Sequence, residues 1–326
     1  MAAGHPKSYL DLARDCDGLP YPDQVEDHAL LIPTFYRFCL KESWDEEGSA
    51  LVTIGYILPS VVAKMPWIRN KFQVDHDEKT VTIPYAPGGT DVETTAIGEQ
   101  LESARRNASF DLLRQWRGEL YQVLGIGRDV RMARGGVALF GIHTVGVHVM
   151  AFCKKTGPAG DEMRLWIPRR AATKQTYPGM LDNTVGGAMV AGEDELECMV
   201  REAEEEASLP EGLTRERARP VGAISYFSMR DERAGGEVGL LQPATHHLYD
   251  MELGEADVVP KPKDGEVEAF YLWGVEETVV ALKEGRFKPN SAVAWIDFLV
   301  RHGYINARNE PDYLELVSRI HRRIHF

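Results

Sequence analysis

The chain has 326 residues, and its 37 Lys and Arg residues against 50 Asp and Glu residues give a formal net charge of −13. The length suggests about two domains, and a hydrophobic fraction of 44% is enough to bury ordinary cores. The acidic balance argues against non-specific nucleic-acid binding, which needs a surplus of Lys and Arg, so no nucleic-acid partner is expected.

Residues 1–130 mix helical and extended patterns, which predicts a smaller α+β N-terminal domain. A helix broken or started near Pro33 is predicted over residues 23–40, and a strand ended by Pro59 is predicted over residues 51–57. A second helix is predicted over residues 96–115, and a half-buried strand over residues 116–123. This domain could shape a substrate pocket, cover a sheet or support contacts between subunits, and the sequence leaves these roles open.

Residues 131–326 contain the longest apolar stretches and the strongest helix pattern of the chain. Strands are predicted over residues 136–152, 164–168, 221–229, 244–253 and 266–275. Helices are predicted over residues 193–207, 290–300 and 312–324. This order of strands, one strong helix, further strands and terminal helices favours a mixed α/β sandwich over a Rossmann pattern.

The cysteines and the apolar runs bear on the compartment. Four cysteines lie far apart, with no CxxC motif and no histidine pair near them, which excludes an ordinary zinc site and favours reduced thiols. No apolar run approaches the roughly 18 residues of a membrane-spanning helix. The N-terminal stretch lacks an apolar signal core, and Asp11, Asp15 and Asp17 disfavour a transit peptide. We therefore expect a cytoplasmic protein without a membrane partner.

The sequence GAMVAGEDELECMVREAEEEASL, residues 187–209, describes a glycine turn followed by a helix with two faces. The spacing of Glu202, Glu205 and Glu206 places three carboxylates on one side. An apolar face that can pack on a sheet is formed by Leu196, Val200, Ala203 and Ala207. Clustered carboxylates repel each other, and a hard divalent cation such as Mg²⁺ or Mn²⁺ removes that repulsion because it prefers oxygen ligands.

This segment resembles the Nudix box, in which glycine, glutamate, an Arg-Glu pair and a Glu-Glu pair stand at fixed spacing. The matching positions are Gly187, Glu193, Arg201, Glu202, Ala203, Glu205, Glu206 and Leu209. Ser208 stands where the family usually has glycine, which removes no ligand. The resemblance implies an α/β/α sandwich with a mixed sheet, and an enzyme that hydrolyses a small-molecule diphosphate with Mg²⁺, Mn²⁺ being possible. A monomer and a homodimer both stay open.

The resemblance also implies roles for the site residues. Glu202, Arg201, Glu205 and Glu206 form the catalytic set. Glu205 and Glu206 bind metal, Glu202 binds metal or helps to activate water, and Arg201 orients Glu202 or Glu193. Many Nudix proteins add an acid from outside the box. Glu266 is our choice for that metal ligand, with Glu268 in reserve, because alternation places both on one strand face. A solvated acidic turn is the alternative reading of this segment.

A narrower resemblance extends over nearly the whole chain. WIPRRAATKQTYPGMLDNTVGG, GAISYF, DGEVEAFYLW and FKPNSAVAWIDFLVRHG resemble a fungal and plant Nudix subfamily with an extra N-terminal domain, related to the Nudix part of fungal thiamine pyrophosphokinases. The resemblance implies hydrolysis of oxidised thiamine diphosphate analogues to monophosphate and phosphate, as metabolite repair. Alternatives are a nucleoside diphosphate derivative as substrate, or a non-catalytic binding module. Residues 230–242 form a longer and more glycine-rich loop than is usual there.

The candidate substrate-binding residues combine positive charge with an aromatic ring. Arg169, Arg170 and Lys174 lie in a basic segment of an acidic protein and could bind the terminal phosphate, with surface solvation as the alternative. Gly187 and Tyr226 complete the predicted substrate site, Tyr226 by stacking on a heteroaromatic ring. Phe227 and Trp116 are other candidates for stacking. We expect no metal ligand at His143 or His148.

Overall fold

The computed structural model describes residues 5–21, 24, 26, 29, 31–41, 50–84, 90–114, 116, 118–157, 160–254 and 257–324. Within these ranges the helices are α1 (Tyr9–Cys16), α2 (Pro59–Lys64), α3 (Thr90–Arg106), α4 (Arg134–Phe140), α5 (Glu195–Ala207), α6 (Glu211–Arg217), α7 (Val275–Lys283), α8 (Pro289–Arg301) and α9 (Tyr313–Arg319). The strands are β1 (Tyr36–Lys41), β2 (Leu51–Ile57), β3 (Gln73–Asp75), β4 (Thr80–Thr82), β5 (Leu120–Gln122), β6 (Arg131–Ala133), β7 (Thr144–Gly157), β8 (Gly160–Arg170), β9 (Val185–Ala188), β10 (Ala218–Met229), β11 (Leu241–Glu252) and β12 (Val267–Gly274). None of the described helices is both long and apolar enough to cross a membrane.

The larger sheet has the strand order β10-β11-β7-β8-β12 among the described residues, and β9 pairs with β7. It is a mixed sheet, because β11 runs parallel to β7, whereas β10 with β11, β7 with β8, and β8 with β12 are antiparallel pairs. Side chains alternate along β7: Val147 and Val149 pack with α5, and Phe152 packs with α8 on the opposite face. This arrangement confirms the predicted α/β/α sandwich.

The N-terminal region contains a smaller sheet of order β2-β1-β4-β3. The prediction of a helix reaching residue 40 is wrong here, because β1 covers Tyr36–Lys41; parts of the predicted helix before it lie outside the described residues. Tyr36 and Phe38 are buried while Arg37 between them is exposed, which is the alternation of a strand. The pairing with β2 shifts its register between Phe38 and Cys39, and Cys39 and Leu40 are both buried. Pairing with β2 and β4 satisfies the backbone of β1 on both sides. The predicted strand over residues 51–57 is confirmed as β2.

The apolar stretch over residues 136–152 was predicted as paired strands, and its first part is instead helix α4. This helix ends at Gly141, whose φ of 61° is left-handed and whose hypothetical Cβ would lie 2.2 Å from the carbonyl oxygen of Tyr56. Strand β7 begins three residues later. Leu139 and Phe140 are fully buried, and an apolar run that is buried all round has no periodicity to distinguish a helix from a strand.

Other predicted elements differ from the structure mainly at their ends. Helix α3 covers Thr90–Arg106, so it both starts and stops earlier than the helix predicted over residues 96–115. The strand predicted over 116–123 is reduced to β5. The last helix stops at Arg319, because the chain then pairs with β10: Ser225 donates its N–H to the carbonyl of Ile320 at 3.2 Å. The strands predicted over 164–168, 221–229, 244–253 and 266–275 are confirmed within β8, β10, β11 and β12, and the helix predicted over 290–300 is confirmed as α8.

Helix α5 confirms the predicted box helix from Glu195 to Ala207. Its buried face is formed by Cys198, Met199, Val200, Ala203 and Ala207. Leu196, which was predicted to belong to this face, is 41% exposed. The buried face of α5 is therefore centred on other residues than the periodicity predicted. Cys198 and Met199, and not Leu196, pack against β7 and β11.

The hydrophobic cores of the N-terminal and C-terminal parts do not separate at a single sequence position. The N-terminal core runs from Tyr36 to Ile142 and also takes in Leu240 from the C-terminal half. Helix α1 packs instead on the far core, where Leu12 and Cys16 lie beside residues of α8. A domain boundary near residue 130 remains a prediction. The N-terminal region is defined by this first core and comprises the described residues of 36–142, including α4, whereas α1 packs on the C-terminal side.

Candidate active site

The site begins at β9, a short strand that leads into α5. Gly186 and Gly187 pair with His148 and Val147 of β7, which places this strand at the middle of the larger sheet. The side chain of Asp194 caps the helix by accepting a hydrogen bond from the N–H of Glu197 at 2.9 Å. The carboxylate helix therefore begins a short turn after a strand in the middle of the sheet, and its first turn is capped.

The opposite end of α5 shows how the departure from the Nudix box is accommodated. Ser208 adopts the left-handed conformation, with φ of 56°, that glycine usually provides. Its hydroxyl donates to the carbonyl of Lys261 at 3.0 Å, and Leu209 donates its N–H to the carbonyl of Ala203. The helix thus ends as a glycine would end it, with a hydrogen bond that glycine could not make.

Glu206 is 9% exposed and faces the glycine strand. Its Oε2 accepts a hydrogen bond from the N–H of Gly186 at 2.9 Å. Burial, reinforced by the nearby charge of Glu202, raises the pKa of Glu206 to about 8. A carboxylate held in this place is costly unless a cation accompanies it.

Glu202 lies beside Glu206 and directly over Gly187. A Cβ added to Gly187 would lie 2.0 Å from the carboxyl carbon of Glu202, so only glycine leaves room for this carboxylate. Nη1 of Arg201 donates to Oε1 of Glu202 at 2.7 Å. Burial raises the pKa of Glu202 to about 7, and the charges of Glu205 and Glu266 act in the same direction.

Arg201 connects the acidic residues of the box. Its Nε and Nη2 donate to the two carboxylate oxygens of Glu193 at 2.8 and 3.0 Å, and Nη1 is shared between Glu202 and Glu205, the latter at 3.3 Å. Glu193 in turn accepts the N–H of Val190 at 3.2 Å. Both carboxylates that the sequence offered as partners of Arg201 are therefore in contact with it, and Glu193 anchors the turn.

The outer acids take different positions in the structure. Glu266 lies immediately before β12 and lines a cavity next to the box, where it forms an ion pair with Lys174. Its N–H also donates to Oδ1 of Asp264 at 2.8 Å. Glu268 is exposed at an irregularity of the β8–β12 pairing. The irregularity breaks the alternation that made the two acids equivalent in sequence, and it directs only Glu266 to the cavity.

The basic segment divides into residues inside and outside this cavity. Lys174 lines it, whereas Arg169 and Arg170 are not among its walls. Arg170 is 7% exposed, and its guanidinium donates to Asp182 at 2.5 Å and to the carbonyl of Thr176 at 2.9 Å. Its donors are engaged in holding the loop that carries Lys174.

The cavity has a volume of about 440 Å³. Tyr226, predicted as a stacking residue, lines it together with His246, and their rings are nearly parallel at 5.7 Å between centroids. His148 stacks on the far side of His246 at 4.1 Å. Burial lowers the pKa of His148 to about 3 and that of His246 well below its usual value, so the stack is neutral. Tyr226 is only 5% exposed, so this part of the wall offers the cavity an uncharged aromatic surface of small area.

The cavity residues that were not identified from the sequence include Lys288, Tyr121 and Arg134. The Lys288 ammonium has no hydrogen-bond or ion-pair partner among the described residues, and burial lowers its pKa. A single lysine before a helix is not a motif; the only sequence signal was its position within FKPNSAV. Tyr121 and Arg134 come from the N-terminal region, and nothing in their spacing connects them to the box.

The donor set fits a hard divalent cation. No group of three His, Cys, Asp or Glu side chains is gathered closely enough to hold an ion in the part of the chain that the structure describes. Arg201 and Lys174 instead neutralise Glu202 and Glu266. Glu206 and Glu202 nevertheless present buried carboxylate oxygens with raised pKa values, which is the chemistry that Mg²⁺ or Mn²⁺ compensates.

Metal binding should therefore stabilise the folded protein. We expect Mg²⁺ to raise the free energy of unfolding by about 2.7 kcal/mol at a hundredfold excess over its Kd. The measurement is thermal unfolding with and without Mg²⁺, for the wild type and for a Glu202→Gln/Glu206→Gln double variant that has lost both buried charges. An equal shift in both proteins would place the ion elsewhere.

Comparisons with known proteins match both parts of the chain. A NUDIX domain model matches residues 144–296, and a domain of unknown function, DUF4743, matches residues 50–144. The chain is 31% identical over 329 residues to the uncharacterized protein YJR142W of Saccharomyces cerevisiae, covering 98% of this chain and 92% of the yeast protein. It is 37% identical over 196 residues to the chloroplastic Nudix hydrolase 20 of Arabidopsis thaliana, covering 59% of this chain and 48% of the plant protein.

A third relative, the uncharacterized Nudix hydrolase YfcD of Escherichia coli K12, is 48% identical over 147 residues, covering 45% of this chain and 68% of that protein. The chain therefore belongs to the Nudix hydrolase family, and it is an enzyme that acts on diphosphate-containing substrates. Nudix hydrolases generally use divalent metal ions. The DUF4743 match confirms that an additional region precedes the Nudix domain.

Proposed function

We propose that this enzyme hydrolyses oxidised thiamine diphosphate analogues, such as oxothiamine and oxythiamine diphosphate, to the monophosphate and inorganic phosphate. The observation that carries the proposal is a cavity that Ala188, in the strand before the carboxylate helix, and Glu266 both line, and whose wall joins ammonium groups to a neutral stack of parallel rings. A diphosphate and a planar heterocycle would meet complementary groups there. The thiamine part rests on the subfamily resemblance of the sequence segments around this cavity.

The proposed catalytic set divides between metal binding and positioning. Glu202, Glu205, Glu206 and Glu266 would hold the divalent ion, preferably Mg²⁺, which when bound polarises phosphoryl oxygens and lowers the pKa of a bound water. Arg201 orients Glu202 by the 2.7 Å hydrogen bond, and the N–H of Gly186 orients Glu206. Each buried carboxylate thus has a donor that fixes its direction before substrate arrives.

The substrate contacts follow from what each residue can donate. Lys174 lines the cavity, and its ammonium group would leave the ion pair with Glu266 to bind a phosphoryl oxygen of the substrate. Gly187 leaves the space that Glu202 occupies, and Tyr226 offers its ring to the heterocycle. Arg170 would act indirectly, by holding the loop of Lys174 through Asp182 and the carbonyl of Thr176.

The test is a phosphate-release screen with and without Mg²⁺. Its substrates are thiamine diphosphate, its two oxidised analogues, ADP-ribose and nucleoside diphosphates. We expect the highest kcat/KM with an oxidised thiamine diphosphate and no turnover without the metal. A higher kcat/KM with ADP-ribose or a nucleoside diphosphate would replace the thiamine proposal by the alternative substrate class. Absence of turnover with every diphosphate would favour a binding module.

Lys174→Ala should mainly weaken substrate binding. A lost charge-assisted hydrogen bond to a phosphoryl oxygen corresponds to about a tenfold higher KM, with a smaller change in kcat. Arg169→Ala tests the second basic position in the same assay. Lys263→Ala is the matched control, because Lys263 is exposed and pairs with Glu204 at 2.9 Å. Unchanged kinetics in both Lys174→Ala and Arg169→Ala would remove the basic segment from the substrate site.

A further inference from the structure

The N-terminal region is attached directly to the turn that precedes the carboxylate helix. The carbonyl of Leu120, in β5, accepts a hydrogen bond from the N–H of Ala191 at 2.7 Å. Ala188 and Val190 pack against the core of the N-terminal region. The two parts of the chain are therefore in contact at the box itself, and not only at a distant surface.

The glycine-rich loop over residues 230–242 makes a second attachment. The carboxylate of Glu237 accepts the N–H groups of Asp111 and Leu112, at 2.6 and 3.2 Å, and thereby caps a short 3₁₀-helix of the N-terminal region. Leu240 is 1% exposed within the N-terminal core. The loop that was conspicuous in the sequence thus binds the N-terminal region to the edge of the cavity.

Two side chains of the N-terminal region reach the cavity from these attachments. Tyr121 is 7% exposed and lies on β5, next to Leu120. Arg134 is the first residue of α4, and its side chain is 44% exposed. Nη1 of Arg134 pairs with Glu119 at 2.9 Å, while its Nη2 has no hydrogen-bond partner among the residues described. A guanidinium fork with one free edge is suited to a phosphoryl group.

The other cations of the cavity wall show why this free edge matters. Lys174 is paired with Glu266, and the Nη2 of Arg230 donates to two backbone carbonyls at 2.7 Å. Arg134 and Lys288 are the remaining Lys and Arg residues in the described wall. A diphosphate carries several negative charges, and it would be drawn to cations that do not first have to lose a partner.

We propose that the N-terminal region is part of the substrate site, and that Arg134 binds the diphosphate together with Lys288, with the Tyr121 hydroxyl as an additional donor. This inference rests on the proposed diphosphatase function and assigns its diphosphate contacts to residues outside the Nudix box. It also gives the region matched by DUF4743 a direct task in recognition. Removal of Arg134 would then weaken the binding of any diphosphate, whatever organic group the diphosphate carries.

The experiment is calorimetric binding of methylene diphosphonate, a non-hydrolysable diphosphate, to the full chain with Mg²⁺. We expect Arg134→Gln and Lys288→Gln each to raise Kd about tenfold or more. Arg131→Gln is the matched control: Arg131 lies three residues away, pairs with the exposed Asp129 at 2.7 Å, and is outside the cavity wall. Its Kd should stay within about twofold of the wild type.

The outcomes separate this inference from the proposed function. A Kd for Arg134→Gln equal to that of the wild type would overturn it, and so would a wild type that does not bind the diphosphonate. A wild type that binds but hydrolyses no organic diphosphate would contradict the function alone. If Arg134→Gln does not fold, as judged by circular dichroism, Arg134→Lys replaces it. That variant keeps the charge but not the fork, and a Kd unchanged from the wild type would again overturn the inference.

Discussion

Replacing Glu206 by Gln is expected to lower Mg²⁺-dependent phosphate release about 100-fold or more, with the fold intact. Gln has the same shape, and its carbonyl oxygen can still accept the N–H of Gly186, now at 2.9 Å from Oε2. What it lacks is the negative charge that a hard cation requires. The measurement is the initial rate of phosphate release at saturating substrate, with circular dichroism to compare the folds.

Glu204→Gln is the matched control for this prediction. Glu204 lies two residues away on the same helix, but it is exposed and pairs with Lys263. Its removal changes the net charge as much as the removal of Glu206, and it should leave the rate near that of the wild type. If Glu206→Gln turned over as fast as the wild type, the assignment of the metal to this carboxylate would be wrong.

Gly187→Ala should lower activity by a similar factor while changing stability little. The added Cβ would lie 2.0 Å from the carboxyl carbon and from Oε1 of Glu202, which is closer than non-bonded atoms can approach. Glu202 is a flexible side chain, so it can turn aside at small cost to the fold. In turning aside it would lose the 2.7 Å hydrogen bond from Arg201 that orients it. We expect a loss of at least about 100-fold in kcat.

The stability half of this prediction distinguishes displacement of a carboxylate from disruption of β9. Thermal unfolding without metal should give nearly the same Tm for Gly187→Ala and the wild type. Gly212→Ala is the control for a glycine substitution as such, because an added Cβ there meets nothing within 4 Å. Full activity in Gly187→Ala would show that Glu202 does not act from its position over the glycine.

Local sequence was sufficient wherever the relevant groups are close along the chain. Glu202, Glu205 and Glu206 share a face because a helix brings residues three and four apart together, and the helix is observed over Glu195–Ala207. The strands β10, β11 and β12 followed from β-branched and aromatic runs between turn residues. The fold class could be inferred from the order of these elements for the same reason.

Burial was the main source of the errors. In residues 136–152 the apolar pattern is uniform, since α4 and β7 are both surrounded by other elements. Leu196 fitted the helical period and is 41% exposed, because Cys198 and Met199 meet the sheet in its place. Periodicity reports how many sides of an element are covered, and it cannot report which neighbour covers them.

What the sequence by itself determined was the chemistry of the carboxylate helix: three acids, their spacing, the glycine beneath them and the arginine beside them. Only the tertiary structure decided which charges are free to act. It paired Lys174 with Glu266 and Arg170 with Asp182, and it brought Arg134 from the N-terminal region to the cavity next to the box. Ion pairs and cavity walls join residues that are distant along the chain, so their formation depends on packing that no local pattern encodes.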